Sequence, residues 1–166
     1  LLNSWVNIYT LFEDILTLAD KFTECDFIIR AKHNGWTRIN YFTKILEALN
    51  HKKNIKIEDN YDNFDISYTL LSDVYAVIGH HTSIADEAMC YRIPVLFHDF
   101  GPYAKSIYAQ NYKYDNLEIF TQSSAEFQSK FFNYFIEDQY PDEFMSYVEE
   151  TFGELDDGAA LKRIGY

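Results

Sequence analysis

Val74-Tyr75-Ala76-Val77-Ile78, Gly79-His80-His81-Thr82, Ser83-Ile84-Ala85-Asp86-Glu87-Ala88-Met89-Cys90-Tyr91 and Pro94-Val95-Leu96-Phe97-His98 stand close together near the middle of the chain. The first and last groups are short runs of strand-forming residues bounded by glycine and proline, which predicts two strands. Between them, a glycine turn and hydroxyl side chains lead into a helical pattern over 83–91. Strand, turn, helix and strand at this spacing predict parallel neighbours joined by a right-handed crossover.

The same alternation extends in both directions. Val6, Tyr9, Leu11, Phe12, Ile15, Leu16, Ala19 and Phe22 recur at helical spacing opposite Glu13, Asp14 and Asp20, predicting a helix over about 5–22. Asp26 to Lys32 reads as a strand. His33-Asn34-Gly35 breaks it before a helical pattern through Tyr41, Phe42, Ile45, Leu46 and Leu49. Ile55-Lys56-Ile57 is the next strand and 64–72 the next helix. Beyond Gly101-Pro102, a loop or short helix carries Tyr103, Ile107 and Tyr108. A strand at Leu117 to Phe120, a helix over about 123–138 and a stripe of Phe144, Tyr147, Val148 and Phe152 complete the pattern. The expected architecture is α/β: a doubly wound, Rossmann-like parallel sheet with helices on both faces, in a single domain over 1–166.

Composition agrees with one folded domain and excludes several functions. The 14 Phe, 14 Tyr and 2 Trp are far too many core-type side chains for a disordered acidic segment. With 14 Lys and Arg against 26 Asp and Glu, the net charge is −12, which repels nucleic-acid backbones. Cys25 and Cys90 form no Cys-x-x-Cys and no zinc pattern, which fits a reducing compartment. No apolar run reaches the ~20 residues that span a bilayer. A cytoplasmic protein is expected, peripheral at the inner face of the membrane through parts outside this sequence. The start without Met, directly in a helical pattern, suggests an excised piece of a longer protein.

Ligands of such sheets bind beyond the carboxyl ends of the strands. There stand Arg30, Lys32 and His33; Glu58 to Tyr61; Gly79 to Ser83; and His98, Asp99 and Phe100. A helix beginning near Ser83 would offer free N–H groups and partial positive charge to a phosphate. Ser83 and Glu87, four positions apart, share a helix face, so a diphosphate at the tip and a ribose on the Glu87 carboxylate would fit. The competing reading of Ser83-x-x-Asp86 is a capping box that needs no ligand. Arg30, Lys32 and His33 could neutralise a diphosphate or form a solvated strand end. Tyr61 could stack on a base or pack in the core, and Asp99 could meet the sugar or cap the next turn. His80, His81, His98 and Asp99 match no standard metal spacing, so no metal is expected.

The stretch from Gly79 to Leu96, with Thr82-Ser83, Asp86-Glu87-Ala88 and Pro94-Val95-Leu96, resembles the donor-binding half of GT-B glycosyltransferases and their relatives the non-hydrolysing UDP-N-acetylglucosamine 2-epimerases. Phe27 to His33 looks like the family's strand ending in a basic residue and His, and Tyr68 to Asp73 like the helix before the motif strand. Phe152-Gly153, Asp157-Gly158-Ala159 and Arg163-Ile164 look like its C-terminal tail. The resemblance runs from about 5 to 164. It implies the C-terminal half of a GT-B fold, with Glu87 on the ribose and Thr82 and Ser83, beside His81, on the diphosphate.

The implied activity is transfer of a sugar from a nucleotide-diphosphate donor to a surface polysaccharide or glycolipid, the nucleotide sugar being substrate and no cofactor being needed. The acceptor half and the first strand would lie outside this sequence, which leaves the catalytic residues unassigned and this piece inactive by itself. The epimerase loop Ser-Gly-Gly is replaced by His81-Thr82-Ser83, which favours the transferase over half of an epimerase. A non-enzymatic receiver-like module would need a phosphoacceptor Asp at a central strand end. Gly79-His80 and His98-Asp99 stand at those ends instead.

Overall fold

The computed structural model describes residues 2–30, 34–58, 65–80, 83–98, 100 and 117–152. The fold is α/β, with parallel strands alternating with helices in keeping with a Rossmann-like doubly wound arrangement. Two compact units divide the chain, Leu1–Ser72 and Asp73–Tyr166.

In the first unit, helix α1 (Leu2–Lys21) leads to strand β1 (Phe27–Arg30). Two 3₁₀ turns, Asn34–Arg38 and Asn40–Phe42, precede helix α2 (Thr43–Asn50), strand β2 (Ile55–Glu58) and helix α3 (Asp65–Leu71). The sequence pattern places Tyr41 and Phe42 in the second helix, whereas they close the turn before it. β1 and β2 pair in parallel, Phe27 opposite Ile55 and Arg30 opposite Glu58. Phe42 is fully buried, with the rings of Trp5, Tyr9, Phe12, Trp36 and Tyr41 around it. The Asn54 amide donates to the carbonyls of Ala19 at 3.0 Å and Cys25 at 3.1 Å, tying the start of β2 to the α1–β1 connection.

The second unit carries strand β3 (Val77–Gly79), helix α4 (Ser83–Cys90), strand β4 (Val95–His98) and strand β5 (Phe120–Thr121). Helix α5 (Ser124–Phe131), a π-helical turn (Phe132–Ile136) and helix α6 (Asp142–Phe152) follow. The sheet order is β3-β4-β5, all parallel, with Gly79 opposite Phe97 and His98 opposite Thr121. β3 begins at Val77, whose N–H donates to the Pro94 carbonyl at 2.9 Å, so the first half of the expected strand precedes the ladder. β4 is buried along its whole length, as a central strand covered on both faces requires.

The helix expected over 123–138 changes character at Phe132. There the Glu137 N–H reaches the Phe132 carbonyl five residues back, at 3.0 Å. Phe131 and Tyr134, three positions apart on one face, are both buried. Tyr140 then locks β4: its hydroxyl donates to the Val95 carbonyl at 2.7 Å and accepts from the Val95 N–H at 2.9 Å. Lys130 donates to the carbonyls of Glu118 (2.7 Å) and Phe120 (2.9 Å), anchoring β5. Among the described residues, no helix is long and apolar enough to cross a membrane.

Candidate functional site

The carboxyl ends of β3 and β4 lie side by side because Gly79 pairs with Phe97, so His80 and His98 become neighbours one residue on. Their rings meet edge to face, with centroids 5.8 Å apart. His98 is fully buried, with the Phe100 ring at 4.0 Å and the Phe127 ring at 4.9 Å. Sequence reasoning set this pair aside because it tested the histidines only against metal spacing. The signal that could have found it is the parallel register, which aligns the last residues of the two strands. Among the described residues, no group of three or more His, Cys, Asp or Glu is placed to hold a metal ion.

Gly79 closes β3. A Cβ added there would meet no described atom within 4 Å, and its φ lies outside the left-handed region. Neither packing nor backbone conformation among the described residues therefore demands glycine. Gly79→Ala is expected to stabilise the fold by about 0.4–1 kcal/mol, because alanine restricts the unfolded chain at a position it can occupy without strain. Urea unfolding of the two chains checks this, and a less stable alanine variant would mean that the space is filled.

α4 starts at Ser83, which is exposed, so Ser83 is already inside the helix and the Ser83–Asp86 pair sits one residue too far along for a capping box. A variant of the capping box forms at α5, its second bond going to the residue before the cap. There Ser123 Oγ accepts from the Glu126 N–H at 3.2 Å, and the Glu126 carboxylate accepts from the Gln122 N–H at 2.8 Å. That hydrogen bond and the Lys130 ammonium at 3.0 Å lower the Glu126 pKa against the opposing pull of its burial, which is the largest single influence.

Glu87 lies one turn into α4 and is half-buried. Its Oε2 is buried and has no hydrogen-bond partner among the described residues. An unsatisfied buried oxygen of this kind costs about 1–3 kcal/mol, which a donor arriving from outside would recover. Asp86 and Glu87 also act on Cys90: burial first, then these two carboxylates, push its thiol up from the ordinary value. Cys90 is thus a poor nucleophile, and neither it nor Cys25 is in a disulfide.

Of the residues expected at a donor site, Ser83 and Glu87 come together on α4, in the second unit. Arg30 ends β1 in the first unit and is half-buried. Lys32, His33, Tyr61, His81, Thr82 and Asp99 lie outside the described residues. Comparisons with protein-family models, with curated proteins and with solved structures find no match to this chain.

Proposed function

We propose that this chain is the donor-binding part of a glycosyltransferase, taking a nucleotide-diphosphate sugar at the carboxyl ends of β3 and β4. The reading rests on the buried, unpartnered Oε2 of Glu87, one turn inside the helix that follows a parallel strand. A carboxylate only accepts hydrogen bonds, so what it lacks is a donor, and the vicinal hydroxyls of a ribose supply two. The α4 N-terminus lies one turn away on the same helix face, near Ser83, and its free N–H groups suit the diphosphate that a ribose carries. Among the described residues, nothing lies within 4 Å of a Cβ added at Gly79, so none of them obstructs the ligand backbone there.

Titration calorimetry of the chain with UDP, CDP, GDP and dTDP compounds tests the reading. Glu87→Ala is expected to weaken the preferred nucleotide by about 1–3 kcal/mol, the range for losing a charged hydrogen bond, with folding stability unchanged or higher. Glu87→Gln loses less, since its amide oxygen still accepts one hydroxyl. Ser83→Asp keeps the melting temperature, because a carboxylate suits a helix N-terminus, yet repels the diphosphate. Equal affinity of the Glu87→Ala variant and the parent would return Glu87 to an ordinary helix face.

A further inference from the structure

A diphosphate at the ends of β3 and β4 needs cationic charge, and a chain of net charge −12 supplies it only locally. In the second unit the described residues include two permanently cationic side chains. Arg92 is exposed, just beyond the C-terminal end of α4 and on the amino side of β4, away from the strand ends in question. Lys130 is held by the Glu118 and Phe120 carbonyls and by the Glu126 carboxylate. Among the described residues of this unit, the other side chains able to carry positive charge are His80 and His98, and both stand at those strand ends.

Their surroundings make them unequal. His98 is fully buried, with Phe100 and Phe127 against its ring, and is closed to a ligand. His80 is half-buried and directly follows Gly79, the last residue of β3. The two rings meet edge to face with centroids 5.8 Å apart, so His98 packs beside His80 at the strand end. The other titratable groups on the described elements next to the pair are Asp86, Glu87 and Cys90 on α4 and the mutually paired Glu126 and Lys130 on α5.

Resting on the donor reading above, we infer that His80, with the buried His98 ring packed against it, meets the diphosphate as an imidazolium, so that donor binding takes up a proton. One proton moves from solvent to the His80 imidazole, and no covalent bond to the ligand forms or breaks. The substrate class is thereby narrowed to ligands whose diphosphate lies at the end of β3, and binding is strengthened by mild acid.

Nucleotide sugars are the right probes, because their diphosphate is a diester that does not itself titrate between about pH 6 and 8, leaving any linked proton to the protein. Calorimetry of the full chain with UDP-glucose, CDP-glucose, GDP-mannose and dTDP-glucose, in two buffers of different ionisation enthalpy, counts that proton. The expected result is fractional proton uptake at pH 7 and an affinity that falls severalfold from pH 6 to pH 8. His80→Gln should abolish both the uptake and the pH dependence. His80→Arg should keep binding with a flat pH profile, which a purely structural role for His80 would not produce. Binding of equal strength at pH 6 and pH 8 with no proton uptake overturns the inference and leaves the donor reading standing. Failure of all four sugars to bind the parent at either pH overturns both.

Discussion

Replacing Phe42 by alanine is expected to remove about 3–5 kcal/mol from the stability of the first unit, the usual cost of deleting a fully buried phenylalanine ring. Phe42 has the Tyr41 ring at 5.1 Å, the Trp36 ring at 5.8 Å and the rings of Trp5, Tyr9 and Phe12 each at 6.3 Å. Removing it leaves a void ringed by stiff planar groups contributed by α1 and the two 3₁₀ turns, which cannot collapse inward without moving the backbone. The expected loss is a large share of the ~5–15 kcal/mol that holds a whole domain together. Both tryptophans of the chain, Trp5 and Trp36, belong to this cluster, so tryptophan fluorescence in urea reports on the first unit selectively. A midpoint shifted by less than about 1 kcal/mol at unchanged slope would mean that the cluster relaxes and is not the core of this unit. Phe42→Leu should lose less, because most of the volume is retained.

That cluster also marks how far sequence reading reaches. The period of Phe12, Ile15, Ala19 and Phe22 foretells α1, and all four are buried. The run Pro94 to His98 foretells β4, whose four residues are all inside. Such elements are legible because one repeated burial pattern specifies both their type and their buried face. The 3₁₀ turns at Asn34–Arg38 and Asn40–Phe42 are not legible in that way, since their apolar residues fit a helical period equally well. The π turn at Phe132 escapes for the same reason, being a single extra residue in an unbroken helical pattern.

At the candidate site, Ser83 and Glu87 are legible from local spacing. The His80–His98 contact depends on pairing between residues 18 positions apart, through a register set by the Gly79–Phe97 alignment. Ser83-x-x-Asp86 has the letters of a capping box, yet the helix begins one residue too early for it, while Ser123-x-x-Glu126 has such letters too and does cap its helix. Local motifs name chemistry, and only the element boundaries decide which chemistry is used.

Above pH 10 the second unit is expected to lose stability steeply, because Tyr134 and Tyr140 hold their protons in the folded state beyond the point at which they lose them in the unfolded chain. Burial, followed by the charges of Glu118 and Glu126, raises the Tyr134 phenol from 10.0 to about 12. Burial raises Tyr140 further, helped by neighbouring Tyr134 and opposed by its hydrogen bond to Val95. Below pH 10 both states carry both protons, and the stabilisation of the neutral phenols is fully present. Between pH 10 and about 12 the unfolded chain binds fewer protons than the folded one, so stability falls by about 1.4 kcal/mol per pH unit for each tyrosine, or about 2.7 kcal/mol per unit for the two. For Tyr134 the loss is complete once the pH passes about 12, and for Tyr140 it continues above that. Tyr140→Phe should remove one share of this slope and, because it leaves the Val95 N–H and carbonyl without their partner, cost about 1–3 kcal/mol at neutral pH as well. Tyr134→Phe surrenders only the 3.1 Å bond to the Glu118 carbonyl, which Lys130 also serves, so its neutral-pH cost is smaller while its effect on the slope is the same. Urea unfolding at pH 8, 10, 11 and 12, followed by tyrosine absorbance, gives the slopes. Parent and Tyr140→Phe curves that run parallel would show that this phenol ionises equally in both states and that the lock on β4 does not exclude water.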